Sequence, residues 1–208
     1  MPDLQFRVQG VEAAPGSAEP ALNLKLHIEN RPADEPIESV LLNCQVRIEA
    51  TRRHYTAAEQ ADLRDLFGVP ADWGRTLGAM LWTHSNVTVP AFQGAVQVDL
   101  PLACTFDLTI AATKYFHGLE EGAVPITLLF SGTVFYTNSE GALQIARIPW
   151  SKEAAFDVPV RAWKEMMERH YPNTAWLCLR RDIFDRLYRH KVAQGLPTFE
   201  QALESLLP

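Results

Sequence analysis

Apolar and polar side chains alternate along much of the first fifty residues, and this period of two predicts half-buried β-strands. The clearest row covers residues 22–28, a longer one covers residues 40–48, and a shorter one covers residues 4–9. The connections between these rows are short, and one of them contains both Pro32 and Pro36. Successive half-buried strands with short connections predict an antiparallel sheet.

The longest apolar run, residues 124–136, has few polar positions and many branched or aromatic side chains. This pattern predicts a strand with both faces covered, at the centre of the β core. Pro125, Gly132 and turn residues on both sides disfavour the alternative of a buried helix. The residues predicted to be nearly inaccessible are Leu24, Leu26, Leu42, Val46, Phe130 and Val134.

Two segments depart from the strand period and have helical spacing instead. Thr56 and Glu59 have the spacing of a capping box, so a short inserted helix is predicted near residues 57–67. From residue 160 onward the apolar positions again follow a helical period, and Thr198 with Gln201 predicts a second capping box. These patterns predict two or three helices at the end of the chain.

The elements together predict a mainly β (α+β) protein. Further strands are predicted at residues 86–90, 96–100, 106–110, 143–145 and 156–158. An antiparallel β-sandwich over residues 1–159 is the most economical packing for so many strands. Residues 160–208 are then predicted to be a helical extension of the same domain, packed against the sandwich.

Net charge and hydropathy argue against nucleic-acid binding, secretion and membrane insertion. The 208-residue chain has a net charge of −6, but residues 160–208 carry +2, so residues 1–159 carry −8. Solvated helix faces explain the basic end most simply, and a docking patch is the alternative. Acidic residues dilute the arginines, so no nucleic-acid binding is expected. No secretory signal or transmembrane segment is evident, so we expect a cytoplasmic, soluble protein.

No local motif predicts catalysis, a metal or another cofactor. Cys44, Cys104 and Cys178 are too far apart for a C-x-x-C motif, and Cys44 shares the apolar row of its strand. The six histidines show no short spacing to one another or to cysteine. Ser131 lies within the predicted central strand and lacks the nucleophile-elbow sequence. A metal site assembled from distant residues remains open at this stage.

Three segments place large rings beside polar side chains near predicted strand ends. Protein interfaces favour tryptophan, tyrosine and arginine, so these segments are candidates for an interaction surface. The alternative is that Trp82, Phe116 and Trp150 cover the ends of the core, and Tyr115 is expected to be more exposed than the tryptophans. The interaction candidates are Trp82, His84, Tyr115, His117, Trp150, Lys152 and, in the C-terminal region, Arg186.

An ordered set of segments resembles a bacterial family whose domain has no assigned function, over about residues 22–206. The segments are LNCQVRIE (42–49), RRHYT (52–56), DLFG (65–68), LWTH (81–84), VDLP (98–101), KYFH (114–117), LFSGTVF (129–135) and PWSKEA (149–154). Members of that family are encoded near nickel–iron uptake-hydrogenase genes. The resemblance implies a role in assembly, docking or electron delivery around that enzyme, and it supplies no catalytic residues.

Two function classes follow from these observations. The favoured one is a non-enzymatic accessory or protein-interaction protein, with a protein partner linked to nickel–iron hydrogenase assembly or function. The alternative is a small-molecule or metal-binding enzyme whose site lies in loops near His84 and His117. The sequence leaves the oligomeric state open.

Overall fold

A computed structural model of the protein describes residues 2–105, 110–175 and 177–207. The chain divides into two compact units, Met1–Asn173 and Thr174–Pro208. The strands are β1 (Asp3–Ala13), β2 (Ala21–Arg31), β3 (Ile37–Ile48), β4 (Met80–Val89), β5 (Ala95–Ala103), β6 (Ala123–Thr137), β7 (Leu143–Arg147) and β8 (Glu153–Pro159). The helices are α1 (Ala57–Asp62), α2 (Arg64–Phe67), α3 (Trp73–Thr76), α4 (Ile110–His117), α5 (Val160–His170), α6 (Arg181–Ala193) and α7 (Phe199–Glu204).

The strands of the first unit form two antiparallel sheets. One sheet has the order β1-β2-β5, and the other has the order β4-β3-β6 with β7 and β8 on the far side of β6. Strand β8 pairs with the first half of β6, and β7 pairs with its last five residues. Phe6 of β1 stacks on Phe130 of β6 with ring centroids 4.2 Å apart, which joins the two sheets face to face. The predicted antiparallel β-sandwich is confirmed.

The predicted central strand is β6, which has pairing partners along both sides. Its buried residues alternate with half-buried or exposed ones. The prediction that both faces are covered is therefore wrong, because only one face points into the sandwich. Leu129 and Phe135 contribute to the apolar run from the outer face, since apolar and aromatic side chains suit a pleated surface even when half-buried.

The predicted core is confirmed residue by residue. Each of the six residues expected to be inaccessible is at most 2% exposed. Cys44 and Cys104 are also buried, and burial raises the pKa of each thiol to about 12. Both thiols are therefore protonated at neutral pH, and they behave as small apolar core groups.

The inserted helical segment begins as predicted. The Glu59 N–H donates to Thr56 Oγ1 at 3.1 Å, and the Thr56 N–H donates to Glu59 Oε2 at 3.0 Å, which completes the capping box. The segment is divided into α1 and α2 at the buried residue Leu63. The expected single helix is thus two short helices.

Helix α4 was not predicted. Residues 106–110 have strand-like alternation, but Phe106 and Leu108 lie outside the described residues and Ile110 begins α4. The helix is held by packing, since the Phe116 ring lies 4.9 Å from Trp82 and 5.1 Å from Trp163. Tertiary contacts of this kind commonly override the preference of branched and aromatic residues for strands.

The C-terminal helices belong to different units. Helix α5 lies in the first unit, contacts β1, β2 and β8, and buries Val160, Trp163 and Met166 as its apolar period predicts. In the second unit, the Phe199 ring of α7 lies 5.4 Å from Phe184 of α6. Thr198 caps α7 by accepting from the N–H of Gln201. That residues 160–208 extend the sandwich domain stays a prediction.

Candidate functional site

The sequence-predicted interaction residues divide into a buried and an exposed group. Trp82 is 3% exposed and Tyr115 is fully buried, so neither can anchor a partner in this conformation. The expectation that Tyr115 is more exposed than the tryptophans is wrong, because α4 directs its ring into the core while Trp150 is 92% exposed. The remaining candidates are half-buried Lys152 and exposed His84, His117 and Arg186.

Tyr115 belongs to a buried hydrogen-bonded pair of tyrosines. The two hydroxyl oxygens of Tyr55 and Tyr115 lie 2.7 Å apart, and the Tyr55 hydroxyl also donates to the carbonyl of Ala50 at 2.7 Å. Tyr115 must therefore donate to Tyr55, since each hydroxyl has one proton. Burial raises the pKa of both phenols, so the pair stays neutral and serves as a structural contact.

Replacing Tyr115 with phenylalanine should lower the free energy of unfolding by about 1 kcal/mol, the usual net contribution of one such hydrogen bond. Tyr55 keeps its bond to Ala50, so no buried hydroxyl proton is left unpaired. Urea denaturation measures the change. An effect on partner binding at unchanged stability would contradict the assignment of Tyr115 to the core.

A polar cleft of about 470 Å³ opens beside the start of α1. Its lining residues are Arg53, His54, Thr56, Glu59, Glu120, Glu121 and Gly122. The Arg53 guanidinium donates to Glu59 Oε1 at 2.6 Å and to the carbonyls of Ala123 and Glu121 at 2.7 and 2.5 Å. This arginine therefore ties α1 to the segment that leads into β6.

Glu59 is the buried carboxylate of this cleft, at 1% exposure. Burial alone would raise its pKa, but the backbone N–H groups of Glu120 and Thr56 and the guanidinium of Arg53 together hold the pKa below its ordinary value. Oε1 accepts from Arg53 and Glu120 and Oε2 accepts from Thr56, so both carboxylate oxygens are hydrogen-bonded within the fold. The arrangement is a structural cross-link. The pKa of Glu59 is lowered, whereas a carboxyl group that acts as a general acid needs a raised pKa. The capping box was the only sequence signal for it.

The histidines expected near an enzyme site lie on regular elements. His84 lies within β4, opposite Gln45 of β3, and His117 is the last residue of α4. An enzyme site in loops near these two residues therefore stays a prediction. Among residues 2–105, 110–175 and 177–207, no group of three His, Cys, Asp or Glu side chains could hold a metal ion.

Trp150 is the most exposed of the tryptophan and tyrosine interaction candidates. It lies in the turn between β7 and β8 (residues 148–152), which we call the Trp150 turn. The Ile148 N–H donates to the carbonyl of Gly132 at 3.1 Å, and the Lys152 carbonyl accepts from the N–H of Phe130 at 2.9 Å. The Lys152 ammonium forms an ion pair with Asp3 of β1. Both ends of the turn are thus fixed, while the indole at its tip points into solvent.

Strand β7 adds a second exposed apolar feature that sequence reasoning missed. Leu143 and Ile145 are 63% and 65% exposed and lie on the outer face of the sheet, where Ile145 is opposite Phe135 of β6. Alternation predicted this strand, but it could not show that the apolar row faces outward. Contiguous exposed apolar residues often mark interaction sites.

The fold and these surfaces define an antiparallel β-sandwich protein with associated helices. The chain belongs to a family of unknown function (DUF6084), whose family model matches residues 1–208. The predicted membership in a family without assigned function is therefore confirmed, while the link to hydrogenase stays a prediction. No curated protein matches the chain.

Two solved structures show a distant resemblance to the chain. The CARDB domain of a Pyrococcus furiosus protein, in complex with di-metal ions, is 13% identical with a TM-score of 0.28, over 76% of this chain and 92% of that one. Beta-glucosidase 3B from Thermotoga neapolitana, in complex with alpha-D-glucose, is 12% identical with a TM-score of 0.25, over 75% of this chain and 17% of the enzyme. These scores carry no functional argument. None of the described helices is long and apolar enough to cross a membrane.

Proposed function

We propose that this protein is a non-enzymatic accessory protein that binds a partner protein through the Trp150 turn. The observation that carries the proposal is the 92% exposure of Trp150 at the tip of a turn whose two ends are fixed to β6. Tryptophan is the residue type most enriched among binding hot spots, because its ring buries a large area. A turn that is already ordered loses little conformational entropy on binding.

The charge of the sandwich supports a partner with a basic surface. Residues 1–159 carry a net charge of −8, which would attract such a partner and orient it during encounter. We further propose, from the family resemblance alone, that the partner is a cytoplasmic protein linked to a nickel–iron hydrogenase. Gene proximity is an association and supplies no contact, so the partner must be identified by experiment.

The test is to purify the tagged protein from its native host, identify the co-purifying proteins by mass spectrometry, and measure binding of the purified partner by calorimetry. Trp150→Ala should raise the Kd about 30-fold or more, which corresponds to a loss of about 2 kcal/mol of binding free energy. Leu81→Ala is the matched control, because Leu81 is 51% exposed but lies on β4. Equal affinities of the wild type and Trp150→Ala would overturn the proposal.

The exposed residue Arg186 of α6 provides a second arm of the same assay. Loss of affinity in Arg186→Ala, with an unchanged melting temperature, would show that α6 also contacts the partner. No observation on residues 2–105, 110–175 and 177–207 favours the enzyme alternative. Turnover of a substrate by the purified protein alone, or a stoichiometric metal content, would contradict the accessory function.

A further inference from the structure

Strand β7 has one hydrogen-bonding side directed away from its own sheet. In the described part of the chain, β7 pairs with β6 alone, whereas the neighbouring strand β8 also contacts β1. An unpaired edge exposes backbone donors and acceptors to pairing with another strand. The exposed residues Leu143 and Ile145 lie on this short edge, and neither proline nor an acidic side chain interrupts it.

Two hydrogen bonds establish which backbone groups of β7 point outward. The Asn138 N–H donates to the carbonyl of Ala142 just before β7, and the Ile148 N–H donates to the carbonyl of Gly132 just after it. Successive residues of an antiparallel strand direct these groups to opposite sides. The even-numbered residues of β7 therefore bond to β6. The N–H and C=O groups of Leu143, Ile145 and Arg147 face the open edge.

We propose that this edge pairs with β7 of a second copy of the chain, in an antiparallel arrangement with a two-fold axis at Gln144. The contact is between two copies of this chain and uses the backbone of β7, so the inference goes beyond the proposed function. With Gln144 on the axis, Leu143 lies opposite Ile145 of the second copy, and the same pair occurs again on the other side of the axis. Cross-strand pairs of this type stabilise sheets, and a two-fold interface must be self-complementary in this way.

Charge supports this register over the neighbouring one. Arg147 falls opposite Gly141 of the second copy, next to the exposed Glu140 that precedes it. Because of the two-fold symmetry, Arg147 of each copy lies near Glu140 of the other copy. If the axis passed through Ile145 instead, a single Ile145–Ile145 pair would replace the two Leu143–Ile145 pairs, and Arg147 would lie opposite Leu143. A second copy thus satisfies the backbone, the apolar and the charged groups of the edge together, and it joins two five-stranded sheets into one.

Sedimentation velocity on the full chain, from micromolar to several hundred micromolar concentration, tests the assembly. The wild type should shift from monomer to dimer as concentration rises. Ile145→Pro should remain monomeric, because proline removes an outward N–H while the bonds to β6 stay intact. Trp150→Ala should dimerise like the wild type. A wild type that stays monomeric throughout this range overturns the inference. The same holds if the edge of β7 pairs with a strand of another protein and the chain does not dimerise.

Cross-linking tests the register without relying on the proline variant. In a Cys178→Ser background, which removes the exposed native thiol, Gln144→Cys should form an intermolecular disulfide under mild oxidation. Residues directly opposite in a non-hydrogen-bonded pair lie about 4.5 Å apart between Cα atoms, within disulfide range. Ile145→Cys is the matched control and should cross-link much less. The reverse order of cross-linking would overturn the proposed axis.

Discussion

Replacing Glu59 with glutamine should lower the free energy of unfolding by about 3–5 kcal/mol, because the change leaves a buried guanidinium without its counter-charge. The side chains of Glu59 and Arg53 are 1% and 9% exposed, and their closest N–O distance is 2.6 Å. The Thr56 N–H and the Glu120 N–H donate to different oxygens of the carboxylate, so the single NH2 group of the new amide would face one of these two donors. Urea denaturation followed by circular dichroism measures the change.

Asp65→Asn is the matched control for this substitution. The Lys114–Asp65 ion pair has the same 2.6 Å separation, but its side chains are 49% and 65% exposed. Solvent screening should limit the control's effect to less than about 1 kcal/mol. If both variants lost equal stability, burial would not be the cause of the Glu59 effect.

The same cluster predicts how stability depends on pH. The folded protein holds the pKa of Glu59 below its ordinary value of 4.5, so the unfolded chain binds this proton more readily. The contribution of the carboxylate is therefore complete above pH 4.5, and it is lost as the pH falls through the lower folded pKa. The difference in melting temperature between the wild type and Glu59→Gln should shrink in this acid range. A difference that stays constant down to acid denaturation would contradict this assignment.

Replacing Phe130 with alanine should cost about 3–5 kcal/mol, the usual range for truncating a buried phenylalanine. Phe130 is 2% exposed and stacks on Phe6 across the sandwich. The cavity would open between the two sheets, where the strands on either side cannot collapse without breaking their pairing. Since whole domains are stable by only about 5–15 kcal/mol, we expect a sharp loss of soluble yield and a lower melting temperature.

Leu129→Ala provides the control within the same strand. Leu129 is the neighbour of Phe130 on the outer face of β6 and is half-buried. Its truncation should cost clearly less than that of Phe130, because solvent or mobile side chains can fill the space. Equal losses at the two positions would mean that both faces of β6 are covered, as the sequence alone had suggested.

The antiparallel sandwich could be predicted because its signal is local. Alternation with a period of two defines which residues of a strand share a face, and it needs no knowledge of distant neighbours. The rows that contain Leu24 and Leu42 identified their strands and their buried residues in this way. The capping box at Thr56 and Glu59 was equally visible, since both partners lie within one turn of the same helix.

The candidate site could not be predicted to the same extent, because exposure depends on which elements pack together. Tyr115 and Trp150 occur in similar aromatic segments, yet α4 buries the first and a turn exposes the second. The full role of Glu59 appears only when Glu120, distant in sequence, donates to the same carboxylate.

The sequence by itself determined the alternation, the turns and therefore the class of fold. Only the tertiary structure decided that β6 buries one face and that β7 lies at an open edge with Leu143 and Ile145 outward. The physical reason is that a side chain's burial is set by the layer packed above it, and the chain supplies that layer from residues far away in sequence. A pattern of period two distinguishes two faces, but only long-range packing selects which of them meets the core.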